Sequence, residues 1–216
     1  LGREGFDGLM SKLARLRGDA KELCELAIKN GANHAKVIRS EQVVVDERVL
    51  LKCMYPPCKW YGQCLMCPPY TPSPQKFSIY LKKYRYAVII QFEFPYPEEL
   101  AKKIRDGNDV LPSLFKEIDY RDESFNVAWK ELHRLVSTIE REAFKRGYYF
   151  ATGLVGASCI LCEKCDPNMP CRHPYEARPS MESVGIDVYA TTKKVGLDFM
   201  FSPRDRITLT GLVLLD

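Results

Sequence analysis

Eight cysteines in two groups of four carry the chemistry available to this sequence. Cys53, Cys58, Cys64 and Cys67 follow the spacing C-x4-C-x5-C-x2-C, and Cys159, Cys162, Cys165 and Cys171 follow C-x2-C-x2-C-x5-C. Thiolates are soft donors, and four of them suit an iron-sulfur cluster or a tetrahedral zinc ion. In the second group the first three cysteines reproduce the C-x2-C-x2-C run of bacterial ferredoxins. Three thiols at that spacing let a short loop wrap three corners of a cubane, and a fourth from farther along completes the site. Here the fourth comes after five residues instead of three, and Arg172 stands where those ferredoxins place proline. The Cys67-Pro68 step of the first group does carry that proline, so the sequence leaves open whether fourth ligands are exchanged between two clusters.

The expectation is two [4Fe-4S] clusters, one per quartet. Zinc is the alternative, and it weighs more at the first quartet, where two cysteine pairs could make a structural site. Against it, zinc ribbons separate their pairs by about 15 to 20 residues, whereas five residues separate Cys58 from Cys64. Three neighbours could tune a cluster. Arg172 and Arg178 could offset the charge of four thiolates or donate to sulfur, and His173 could hydrogen-bond a cluster sulfur or replace a ligand. The plainer alternatives are surface arginines and a loop histidine bonded to backbone. Trp60, Tyr61 and Tyr70 either pack over the first cluster or anchor a partner. Cys24 falls inside an apolar helical stripe and reads as a small core residue, and His34 and His133 read as structural.

These side chains need elements to position them. The proline-dense stretch from Tyr55 to Pro74 excludes a regular helix or a central strand, so residues 53–74 form a first cysteine-rich loop and residues 159–179 a second. Asp19 and Glu22 form a possible capping box for a helix stopping at Gly31. The β-branched residues between Ala35 and Cys53 predict strand and turn. Ser73 is placed to cap a helix with Pro74 at its first position, and "YAVIIQF" predicts a buried strand. Pro97, Glu98 and Glu99 open another helix, and the apolar stripe from Phe125 to Ala143 marks a long amphipathic one ending before Gly147. "YYFATGLVGA" is a strand whose glycines permit a close neighbour. Pro179 to Val184 reads as a short helix, Ile186 to Thr192 as a strand, and the C-terminal run as a hairpin turning at Ser202 to Asp205. The pattern predicts an α/β fold, a mixed β-sheet with flanking helices carrying two cysteine-rich metal-cluster loops, one with a ferredoxin-like cluster motif.

A chain of 216 residues, 46% hydrophobic and 28% charged, fits a single domain, 1–216, that buries its own core. The thiols are therefore not needed merely to staple a small fold. The odd count of nine cysteines, the lack of a charged-then-apolar leader and the lack of an apolar run of about 20 residues predict a cytoplasmic protein without a membrane span. Clustered cysteines in that compartment hold metal more often than disulfides. A net charge of +4 spread over 32 basic and 28 acidic residues predicts no nucleic-acid surface.

Two blocks, "CPPYTPSP" with "YRYAVII" after it and the run from Cys159 to Val188, resemble the cysteine-rich predicted metal-binding protein family called domain of unknown function 2284, frequent in anaerobic archaea and bacteria. The resemblance implies metal binding by the clustered cysteines. The family's first block usually reads C-x4-C-x-GYG and then CPP, so Cys64 is an insertion relative to it. Three function classes compete. Two complete quartets favour electron transfer to a redox partner protein or larger enzyme complex. An iron-sulfur enzyme with a substrate-binding cluster, as in sulfur transfer, would need an iron open to substrate. A zinc-stapled interaction module would keep the same cysteines without redox behaviour.

Overall fold

Residues 3–95, 102, 123–199, 201–202 and 206–216 are described by the computed structural model of the chain. Helix α1 (Arg3–Lys29) leads into strand β1 (His34–Arg39), two 3-10 turns (Ser40–Gln42 and Glu47–Leu50), α2 (Leu51–Met54), α3 (Pro74–Leu81) and β2 (Tyr86–Pro95). Then come α4 (Glu123–Lys145), β3 (Thr152–Val155), a 3-10 turn (Glu182–Val184), α5 (Val188–Lys194), β4 (Phe201–Ser202) and β5 (Arg206–Leu215).

The strands form one sheet in the order β1-β2-β5-β3, with β4 also paired to β5. The expected mixed sheet is corrected here: among the described residues every named strand pairing is antiparallel. The physical reason is an insertion. β2 and β3, joined through α4, do run parallel to one another as a strand-helix-strand unit should, but β5 lies between them and opposes both. Flanking helices are present as expected. Leu16, Ala20 and Leu23 of α1 and Leu132, Leu135 and Ile139 of α4 pack with Leu209, Val213 and Leu215 of β5. On the other face Leu212 and Leu214 pack with Phe77, Met181, Val184 and Ile186. Burial on both faces explains why β2 and β5 read as nearly continuous apolar runs.

Close approach of α4 to the sheet depends on glycine. A Cβ at Gly211 would stand 2.4 Å from Val136 Cγ2, and one at Gly153 would stand 2.7 Å from Val136 Cγ1. The predicted intimacy of the "YYFATGLVGA" strand is thus met, although only Thr152–Val155 is extended. Ser73 caps α3 by accepting from the Lys76 N–H, with Pro74 in the first turn.

Other expectations are corrected. α1 runs through Asp19 and Glu22, which pair with Arg146 across to the end of α4 instead of capping. The stretch from Ala35 is strand and then turns, as expected: after β1 come two 3-10 turns, the second started by the Asp46 carboxylate accepting from the Arg48 N–H. Ile186 to Thr192 is no strand: Asp187 accepts from the Ala190 N–H and starts α5. Only Glu182–Val184 of the expected helix at Pro179 to Val184 is helical, as a 3-10 turn. β4 and β5 form the C-terminal hairpin; its turn beyond Ser202 and the helix expected at Pro97 lie outside the described residues. Among the described residues no helix is long and apolar enough to cross a membrane.

Candidate metal centre

The two cysteine loops meet beyond the β3 edge of the sheet. Val155 bridges in parallel to Ser180, whose N–H in turn donates to Met66 O at 3.0 Å, so chain from both loops continues the sheet. An edge strand so covered has no free ladder to offer. The first loop is a chain of tight turns: the Cys58 N–H donates to Cys53 O, the Tyr61 N–H to Cys58 O and the Cys67 N–H to Cys64 O, at 2.8, 2.9 and 3.0 Å. Its Tyr55-Pro56 and Pro68-Pro69 peptides are cis. Thr71 Oγ1 ties the loop's far end to Ser183 O at 3.1 Å.

All nine cysteines are free thiols. Their grouping in space differs from their grouping in sequence. Cys53, Cys58 and Cys67 line one cavity of about 160 Å³, walled by Trp60, Tyr61, Trp129, Ser158, Ser180 and Glu182. Cys64 instead joins Cys159, Cys162, Cys165 and Cys171 around a second, narrow cavity of about 20 Å³. Cys162, Cys165 and Cys171 also border an outer hollow of about 660 Å³ inside their own loop, together with Lys164 and Arg172. The quartet expectation thus becomes three and five. Cys64 links the two groups: its Sγ is 3.9 Å from Cys159 O, and its thiol is hydrogen-bonded to that of Cys67 in the first cavity.

The electrostatics follow from that packing. Hydrogen bonds from the Cys159 and Cys67 thiols favour the Cys64 thiolate and lower its pKa, and the same bonds, with burial, raise those of Cys159 and Cys67. Burial pushes Cys53 up to about 11, with Cys58 adding to it. Metal must displace these protons to bind. Among the described residues no three His, Cys, Asp or Glu side chains converge to hold a single ion; the thiols stand around hollows instead.

Of the expected tuning residues, His173 donates its backbone N–H to Cys171 Sγ at 3.4 Å, while its ring Nδ1 lies 3.3 Å from Glu176. Arg172 donates to Lys164 O within the loop. Arg178 is bound to Glu140 and to the carbonyls of Ala177 and Tyr175. Cys24 stands on α1 away from both groups, its pKa raised to about 12 by burial and then by Glu25. Trp60 and Tyr61 line the first cavity, and Tyr70 is exposed with its hydroxyl 3.4 Å from Gly62 O.

Sequence reasoning missed three residues of the site and read a fourth nearby, His133, as structural. Ser158, Ser180 and Glu182 are ordinary in the sequence, and only the folding of 179–182 against β3 brings them to the first cavity. His133 is 1% exposed, with no hydrogen-bond partner among the described residues for either ring nitrogen, and burial holds its pKa down at about 4. The Glu176 and Ser158 backbone flank its ring, which places it directly behind the second loop.

An α/β sheet whose extended edge gathers eight thiols around two hollows defines a cysteine-rich metal-binding protein. The chain belongs to the family described as "Predicted metal-binding protein (DUF2284)", whose model matches residues 36–215. No curated protein and no solved structure matches the chain.

Proposed function

We propose that this chain is an iron-sulfur protein that binds two neighbouring [4Fe-4S] clusters and serves electron transfer to a partner enzyme. The observation that carries the reading is the disposition of the thiols: eight unpaired cysteines around two hollows linked where Cys64 of one meets Cys67 of the other. A zinc ion needs four donors closing on one point, whereas the irons of a cluster are reached separately by thiolates spread around it. The first hollow, at about 160 Å³, is on the order of ten times the 10–15 Å³ that a single water needs, which suits a cluster better than a lone ion; the second, at about 20 Å³, is of single-water size, and there the reading rests on the thiol spacing.

Such clusters, when bound, supply one-electron storage at potentials set by burial, charge and hydrogen bonds to sulfur. The chain's own residues set those conditions. Trp60, Tyr61 and Trp129 line the first cavity with apolar surface, and the His173 N–H donates to the Cys171 sulfur. The exposed Tyr70 beside the first loop offers a rigid aromatic anchor for a redox partner. A cluster enzyme is the second reading, favoured by the presence of only three thiols at the first cavity.

Anaerobic reconstitution followed by iron and acid-labile sulfide analysis tests the proposal. About eight of each per chain are expected from a Cys₄-type rule for two clusters, in a brown protein that a low-potential donor reduces. A colourless protein that retains zinc and takes up no electrons would overturn it.

A further inference from the structure

The geometry points to a first centre held by only three thiolates of this chain, Cys53, Cys58 and Cys67, whose remaining corner takes an exchangeable small hydroxyl-bearing ligand against Ser158, Ser180 and Glu182. The inference rests on the iron-sulfur reading and deepens it, because an iron without a protein thiolate is a binding site and not only an electron store.

Three observations support it. The only other cysteine of the first loop, Cys64, lines the second cavity and not the first, its thiol set between those of Cys67 and Cys159. That second group holds the four regularly spaced thiols of its own loop, so it does not need to lend one back. Beside its aromatic side chains the rest of the cavity wall carries Ser158, Ser180 and Glu182 and no further sulfur, with the Ser158 hydroxyl hydrogen-bonded to the Cys67 thiol. This wall is also rigidly built. The Glu182 carboxylate accepts from Ser180 Oγ at 2.7 Å and from the Ala157 N–H at 3.0 Å, which fixes its orientation. Ala157 itself holds a φ of 63°, a left-handed conformation that residues other than glycine rarely adopt and that clusters at binding sites.

The class of ligand follows from the wall. A carboxylate and two serine hydroxyls in a cavity also lined by Trp60, Tyr61 and Trp129 suit a small molecule that donates a hydrogen bond. The cavity is too small to hold both a cluster and a large substrate, so water takes the corner when nothing else does.

The test uses the anaerobically reconstituted full chain, with cyanide as probe of an iron that lacks a protein thiolate, read by electron paramagnetic resonance of the reduced protein. At partial reduction, where one cluster at a time is reduced and the signals do not couple, one of two cluster signals should shift with cyanide while the other does not, in the wild type and equally in Cys64→Ser. Mild oxidation should convert the same cluster to a three-iron form. Two clusters with no cyanide response would overturn the open corner and leave the two-cluster reading standing. A response that arises only in Cys64→Ser or only in Glu182→Gln would also overturn the open corner, since that residue would then be the fourth ligand. A protein without any cluster signal would overturn both readings together.

Discussion

The two cysteine groups are built from opposite materials. The first is set into the fold: Cys67 and Pro68 are buried, aromatic side chains close the cavity, and Trp129 reaches it from α4 in the main core. The second is a loop folded on itself, with Cys162, Cys165 and Cys171 half-buried and bordering an open hollow with charged rims. The first has three thiols and the second five, which includes Cys64 from the other loop. The difference teaches that cysteine spacing along the chain picks out the thiols that gather without telling which cavity each one lines.

Removing single thiols breaks the comparison most sharply. Cys53→Ala should abolish the first centre and with it about half of the bound iron, because only two thiols then line that cavity. Cys64→Ser should cost little iron, since four thiols remain around the second centre. Iron analysis of the two reconstituted variants checks this, and equal losses would erase the distinction between three and five.

The next effect concerns the support behind the second loop. The folded pKa of His133, about 4, lies below its ordinary 6.5, so as pH falls the unfolded chain takes the proton first. Stability from this residue is complete above pH 6.5 and lost progressively between there and about 4, by about 3 kcal/mol in total. Denaturant titrations of the metal-free protein at several pH values should show this loss, and His133→Leu should lack it.

The smallest effect is expected at the ninth cysteine. Cys24 packs against the core from α1, remote from both cavities. Cys24→Ala should leave iron content unchanged and lower stability by about 1 kcal/mol, as the loss of a small partly buried group does. A missing cluster in this variant would make it a ligand.

Much of the fold could be read from the sequence where local signals agreed with packing. Ser73 and Pro74 start α3, the stripe to Ala143 makes α4, and "YAVIIQF" becomes β2. The misreadings have local causes. Ile186 to Thr192 looks β-branched and extended, but the Asp187 cap and the spacing of Val188, Thr191 and Thr192, all buried, make it helical. The sheet's direction depends on the insertion of β5, which no local pattern encodes. At the site, the eight thiols were visible from their spacing, while the transfer of Cys64 and the wall of Ser158, Ser180 and Glu182 depend on contacts across about a hundred residues of chain, such as Ser180 to Met66.

The most direct test of the account is whether the two centres are neighbours. In the fully reduced, reconstituted protein two clusters on either side of Cys64 should interact magnetically, so that the paramagnetic resonance spectrum is broadened and split and cannot be reproduced as the sum of two isolated spectra. A spectrum of two independent clusters, or of one cluster alone, would contradict it.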